Sequence, residues 1–304
     1  MAKRIVIERI FDAPREQVFE AWTNPKKIKK WWAPKGYDGP IIKIDLRKGG
    51  QYHYLMTGPN NFKAWSGGTF KEIKKNEKLV VTDRFEDEKG NVIEPSTFGF
   101  NDFPKESEVV IKFDKIKDNK TKLSITYSPK NEKEYNAMLK TGMLEGWNSS
   151  IDKLEDVVYE DRLIVLNRVI NASQDKVFKA FGDKKNIVKW WGPNGFTTTT
   201  KKMNFKVGGT WEYIMHGPDG TDYPNRMKYL EINPNKIKYL HDSGKNNDPE
   251  GFISTVEFEK QENKTNVILK SVFPTAKQKE LVIKKYGAIE GGKQTLGRLA
   301  KYVE

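Results

Sequence analysis

The chain contains the same pattern twice. Arg9-Ile10-Phe11-Asp12-Ala13-Pro14-Arg15-Glu16-Gln17-Val18-Phe19-Glu20-Ala21 returns as Arg168-Val169-Ile170-Asn171-Ala172-Ser173-Gln174-Asp175-Lys176-Val177-Phe178-Lys179-Ala180, displaced by 159 positions. At the same displacement Trp31-Trp32 meets Trp190-Trp191, Gly49-Gly50 meets Gly208-Gly209, Tyr54 meets Tyr213 and Gly58-Pro59 meets Gly217-Pro218. Towards the C-terminus the displacement falls to 145, with Lys112-Phe113 against Glu257-Phe258 and Leu154 against Leu299. The first copy therefore holds 14 more residues, mostly within 86–104. A repeat of this length and order restricts the chain to two copies of one domain, 1–160 and 161–304. A total of 304 residues agrees, since it gives each copy enough chain to bury its own core.

Each copy carries the same succession of elements. Arg4–Phe11 and Leu163–Ile170 are strand-like, rich in Ile, Val and Leu. A short helix follows, opened by Pro14 in one copy and by the N-cap candidate Ser173 in the other. A second short helix ends in the Trp pair. Six strand candidates come next in the first copy: 39–46, 51–56, 64–73, 79–85, 108–113 and 122–128, with Gly-Gly, Gly-Pro and Asp-Asn pairs as turn signals. The last segment is helical, with Leu139, Met143, Trp147, Ile151, Leu154 and Val158 recurring at three- or four-residue steps. This order predicts an α+β fold: a curved antiparallel sheet wrapped around its own long C-terminal helix.

Specific motifs sharpen that expectation. Phe11-Asp12-Ala13-Pro14, Val18-Phe19-Glu20-Ala21-Trp22-Thr23-Asn24-Pro25 and Trp31-Trp32 resemble the start of the bacterial domains related to the Hsp90 ATPase activator, within the START-like (SRPBCC, Bet v 1-like) helix-grip superfamily. Asp45-Leu46-Arg47-Lys48-Gly49-Gly50, Gly67-Gly68-Thr69-Phe70-Lys71-Glu72-Ile73 and the stretch Gly146 to Glu155 are similar to its later motifs, and Ile289 to Leu299 to a frequent ending. The resemblance covers nearly the whole chain, twice. It implies tandem helix-grip domains, each with a cavity between sheet and long helix that can hold a small apolar ligand. The superfamily also contains lipid carriers, cyclases and hydrolases, so its fold does not dictate one activity.

Candidate cavity residues follow from strand alternation. Tyr52, Tyr54 and Met56 share one face of 51–56, and Trp211, Tyr213 and Met215 are their counterparts. Hydroxyl-bearing rings suit an amphipathic guest, and they equally suit a packed core. Trp65 and Phe70 join them if they face the same way. One Trp of each pair, Trp31 and Trp190, is expected to enter the domain. Trp147 faces the first cavity, whereas its counterpart is Gly292, so the two interiors are expected to differ in shape, with Trp211 refilling part of the second. The extra segment carries Phe98, Phe100 and Phe103 between turn formers, which suits a lid or an interface rather than an open loop. Glu145 and its counterpart Glu290 on the last helix are the acid/base candidates, with a surface carboxylate as the alternative.

Other chemistry finds little support. The chain has no Cys and three His (His53, His216, His241), none paired at metal-ligand spacing, so no metal and no cofactor is expected. There is no Gly-x-Ser-x-Gly elbow, Walker loop, dinucleotide fingerprint or His-Glu-x-x-His. The net charge of +13 is mostly Lys spread over the sequence, which fits a solvated coat better than a nucleic-acid surface built of clustered Arg and stacking rings. No apolar run approaches a membrane span, the start lacks a signal-peptide core, and a cytoplasmic location is expected. The functional expectation is binding or sequestration of a small hydrophobic or amphipathic molecule. A protein-interaction role, chaperone-associated as the resemblance implies, is the alternative, and a cofactor-free cyclase or hydrolase a further one.

Overall fold

The structure, a computed structural model, describes residues 3–244 and 248–304. The chain divides into two compact units, one ending at Tyr159 and one running from Glu160 to Glu304. The first unit opens with β1 (Ile5–Phe11), α1 (Arg15–Thr23) and α2 (Pro25–Trp31). It continues through β2 (Asp38–Ile44), β3 (Gln51–Gly58), β4 (Phe62–Lys74), β5 (Lys78–Glu86), β6 (Ser107–Lys115) and β7 (Thr121–Tyr127), and ends in α3 (Glu132–Lys140) and α4 (Met143–Val158). The second repeats this as β8 (Leu163–Ile170), α5 (Gln174–Gly182), α6 (Lys184–Ile187), β9 (Thr197–Met203), β10 (Thr210–His216), β11 (Asp222–Asn233), β12 (Lys236–His241), β13 (Phe252–Gln261), β14 (Lys264–Val272), α7 (Ala276–Tyr286) and α8 (Ala288–Val303).

Each unit forms one antiparallel sheet, ordered β1-β7-β6-β5-β4-β3-β2 and β8-β14-β13-β12-β11-β10-β9. The first strand closes onto the last, and every other neighbour is a hairpin partner. Register shifts between Phe70 and Glu72, and at the matching place between Tyr229 and Glu231, bend both sheets. The concave face so formed takes the last helix: Ile151, Leu154 and Val158 of α4 and Leu296, Leu299 and Val303 of α8 are buried. This is the α+β helix-grip architecture expected from the repeat.

Local chemistry sets the helix starts. The Asn24 side chain accepts from the Lys26 N–H ahead of α2, and Ser173 accepts from the Lys176 N–H ahead of α5. The sequence pattern reads the last segment as one long helix, whereas the structure breaks it in two. Gly142 (φ 73°) separates α3 from α4, and Gly287 (φ 58°) separates α7 from α8. A left-handed residue cannot continue a right-handed helix, and glycine takes that conformation without steric cost. Leu139 and Met143 therefore belong to different helices.

Candidate functional site

In the first unit the sheet and α4 do not close completely. A cavity of about 50 Å³ remains, with Trp22 of α1, Trp32 and Trp147 of α4 on the helical side and Tyr52, Tyr54, Phe70, Val81, Asp83, Ile125 and Tyr127 on the sheet. Alternation along the strands brings these together: Tyr52 and Tyr54 on β3, Val81 and Asp83 on β5, and Ile125 and Tyr127 on β7 are each two residues apart. The rings hold one another in place. Trp22 and Trp147 lie parallel, 5.9 Å apart and 10° between planes. Trp32 meets Trp147 edge-on at 5.6 Å and Tyr54 at 5.0 Å.

Of the described residues lining this space, Asp83 alone carries a formal charge. Its carboxyl accepts from the Tyr52 hydroxyl at 3.1 Å and from the Tyr127 hydroxyl at 3.4 Å. Tyr127 in turn accepts from the Trp147 indole N–H at 3.1 Å. The single Tyr52 proton is shared, because the Thr82 carbonyl stands closer, at 2.8 Å. Burial pushes the Asp83 pKa up to about 6. The charge of Glu86 adds to this, and hydrogen bonds from Tyr52, Tyr127 and the Arg84 N–H oppose it. Burial likewise lifts the Tyr52 and Tyr127 hydroxyls well above their usual range, with Asp83 contributing.

The residues expected at the cavity are distributed as follows. Tyr52, Tyr54, Phe70 and Trp147 line it. Trp31 does not. It is 1% exposed, its N–H donates to the Ala21 carbonyl at 2.8 Å, and it packs behind Trp22. Trp32 takes the wall instead, because α2 ends at Trp31 and extended backbone at Trp32 (φ −61°, ψ 137°) redirects its side chain. Met56 is half-buried further along β3, opposite Ala64 and outside the wall. Trp65 pairs with Leu55, whose side chain alternates away from Tyr54, and it stacks on His53 at 4.4 Å on the other sheet face. There His53 Nδ1 lies 2.7 Å from Glu86, which is 4% exposed and also bound by Arg84 at 2.9 Å. Phe98, Phe100 and Phe103 gather on Phe85, with ring centroids 5.0, 5.9 and 5.6 Å from it. Phe85 lies two residues beyond Asp83 on β5, but none of the four rings lines the cavity.

Glu145 and Glu290 need correction as buried acids. Both are exposed in the first turns of α4 and α8, where a carboxylate suits the helix N-terminus, and Glu290 accepts from Gln294 at 3.1 Å. The cavity-lining acid that sequence reading passes over is Asp83. Its signal is a lone carboxylate in the apolar run Leu79-Val80-Val81-Thr82-Asp83, at an inward-alternating position.

The second unit is filled where the first is open. About 10 Å³ remains there, room for one water at most. Trp211 stacks on Tyr213 at 3.9 Å and donates to Thr200, and Trp191 donates to the Tyr213 hydroxyl at 3.2 Å. Trp190 repeats Trp31, 1% exposed with its N–H on the Ala180 carbonyl. Met215 packs at the core's edge beside Gly192. Leu166 occupies the space over Gly292: a Cβ added there would lie 2.3 Å from Leu166 Cδ1. Leu166 thus joins Trp211 in replacing the bulk that Trp147 supplies in the first unit.

No helix among the described residues is long and apolar enough to cross a membrane. A search of curated proteins finds no match. Solved structures of similar chains include one from Arthrobacter aurescens, 26% identical, covering 52% of this chain and 87% of its own, with a TM-score of 0.46. Another, from Mycobacterium smegmatis, is 23% identical over 51% of this chain and 89% of its own, with a TM-score of 0.45. The di-domain ARO/CYC StfQ from the steffimycin biosynthetic pathway covers 98% of each chain at 9% identity and a TM-score of 0.39. The family described as Activator of Hsp90 ATPase homolog 1-like protein matches residues 12–159 and 171–304, one segment in each repeat. With both segments matched and both sheets closed around their last helices, the chain belongs to the Activator of Hsp90 ATPase homolog 1-like family, in two tandem copies.

Proposed function

We propose that the chain binds a small amphipathic molecule, and that the first domain does so alone. The observation that supports this reading is the composition of the first cavity: aromatic and aliphatic walls with one carboxyl and two hydroxyls at one end. Apolar walls supply affinity through burial, and a few fixed polar groups orient the guest. The filled interior of the second domain leaves it as a partner fold without a guest site. Native mass spectrometry of the full chain from its own source tests the reading. A small-molecule adduct is expected on the wild type and absent from Val81→Phe, which fills the cavity, once circular dichroism shows that variant to be folded. An adduct that persists in Val81→Phe, or no adduct at all, counts against it.

The position of Asp83 favours a second reading, proton transfer on the bound guest. A carboxyl whose pKa lies near 6 is present in both protonation states at neutral pH, as a general acid/base requires. Incubating the recovered guest with wild type and with Asp83→Asn distinguishes catalysis from storage. Conversion by the wild type alone supports it, and an unchanged guest in both removes it.

A further inference from the structure

The cavity of the first domain has a size and a charge that narrow its guest further. By the measure that one water needs roughly 10–15 Å³, 50 Å³ holds about four waters, or a guest of similarly few heavy atoms. The walls present the rings of Trp22, Trp32, Trp147, Tyr54 and Tyr52 at varied angles: Trp22 and Trp147 parallel, Trp32 nearly perpendicular to Trp147, Tyr54 tilted against Trp32. Aromatic faces carry negative quadrupole charge, so a wall this rich in Trp and Tyr accommodates a positive guest wherever a face is turned to it.

The polar end agrees. Asp83 is the one formal charge among the described lining residues, and no Lys, Arg or His is there to pair an anion. Its hydrogen-bond donors are all neutral: the Tyr52 and Tyr127 hydroxyls and the Arg84 backbone N–H. Tyr52 has one proton and the closer acceptor is the Thr82 carbonyl, while Tyr127 approaches only to 3.4 Å. An organic acid would bring a second negative charge beside a carboxyl that no Lys, Arg or His among the described lining residues offsets. A cation would supply the missing counter-charge. The net charge of +13 repels cations at long range, but salt screens it beyond about 8–10 Å, and inside the cavity Asp83 is the nearest charge.

We infer that the first-domain cavity is selective for a small organic cation of the alkylammonium class, held in an aromatic cage with Asp83 as its counter-ion. This rests on the reading of the cavity as a guest site. The second domain is an internal contrast, since its space is closed and the place of Asp83 is taken by His241.

The test compares isopropylammonium with propan-2-ol, a neutral molecule with the same count of four heavy atoms and nearly the same shape. Binding to the full chain is read by tryptophan fluorescence and calorimetry, with Asp83→Asn as the variant. Isopropylammonium is expected to bind about tenfold or more tightly than the alcohol, and Asp83→Asn to bring the two within about twofold. If the alcohol binds as well as the ammonium ion, the cation assignment fails while the amphipathic guest site stands. If neither binds, the cation assignment fails, and the guest reading is decided by the adduct in native mass spectrometry. Because the contrast is made on the wild type, it does not depend on how well the variant folds.

Discussion

Asp83 on β5 and His241 on β12 stand at the same point of the repeat. Val81 pairs with Phe70 two residues before Asp83, as Tyr239 pairs with Tyr229 two residues before His241. Both are ionisable groups drawn into a domain interior, yet burial moves them in opposite directions. The acid is pushed up to about 6 and the imidazole down to about 3, because in each case the neutral form is favoured.

For the first domain this gives a signed pH dependence. The Asp83 pKa is raised above its unfolded value of 3.8, so the folded state holds an extra proton between pH 3.8 and about 6. Stability from this group is therefore greatest at low pH and falls as pH rises through that window, by on the order of 3 kcal/mol. Asp83→Asn is expected to stabilise the first domain at pH 7.5 and to have little effect at pH 4. Hydrogen exchange of β5–β7 amides at the two pH values measures it. Equal effects at both would exclude ionisation as the cause.

For the second domain the sign reverses. His241 is stacked on Phe252 at 4.2 Å and kept neutral by burial, with Asp242 pulling weakly the other way. Its folded pKa lies below the unfolded 6.5, so stability is present above pH 6.5 and lost as pH falls towards 3. At pH 5 the loss is at most about 2 kcal/mol. Protection of β12–β14 amides should drop between pH 7 and pH 5 while that of β5–β7 rises. His241→Gln should flatten the first trend and leave the second alone.

The duplication, the succession of strands along the chain and the buried helix face could be read from sequence because each shows as a repeat or a period. A strand alternates every second residue and a helix returns every three or four, so Tyr52, Tyr54, Ile151 and Leu154 declare their faces. Isolated positions do not. Trp31 and Trp32 are adjacent in a run that looks helical throughout, and which one lines the cavity depends on the helix ending between them. Trp65 lies opposite Leu55 because of a hairpin register that no local pattern encodes. Asp83 was hidden for a different reason. A lone carboxylate inside the strand candidate 79–85 looks like a solvent-facing position, and only the pairing of the sheet shows that its side of β5 walls the cavity.

A difference of a single side chain distinguishes how the two repeats close the loop after their Trp pairs. Arg298 Nη1 donates to the carbonyls of Gly192, Pro193 and Phe196 at 2.9, 2.8 and 3.0 Å. Its counterpart Lys153 reaches one, Ala33, at 3.2 Å. Truncating it removes the donor from the Gly192 and Phe196 carbonyls, while Pro193 keeps the Phe196 N–H, at a cost of about 2–3 kcal/mol. Arg298→Ala should therefore lower the urea midpoint more than Arg298→Lys, and both more than Lys153→Ala, whose cost is about 1 kcal/mol. The order of the three midpoints is the test, and a Lys153→Ala effect as large as that of Arg298→Ala would contradict it.

Trp147 and Gly292 hold matching places on α4 and α8, and their surroundings have adapted to the difference. Trp147 is clamped between Trp22 and Trp32, with its N–H on Tyr127, so Trp147→Ala should cost about 3–5 kcal/mol and enlarge the first cavity. At Gly292 two effects oppose. Alanine gains about 1 kcal/mol of helix propensity, but its Cβ meets Leu166 Cδ1 at 2.3 Å, the mobile end of a side chain that can turn aside. Gly292→Ala is thus expected within about 1 kcal/mol of wild type. Gly292→Phe has no such escape, because a whole ring must share the space that Leu166 already occupies, and overpacking should cost about 1–3 kcal/mol. Adding Leu166→Ala should recover a large part of that loss. The recovery, measured as a coupling above about 0.5 kcal/mol in a double-mutant cycle, identifies Leu166 as the residue that replaces Trp147. Strictly additive effects would mean that the two interiors were filled by independent routes.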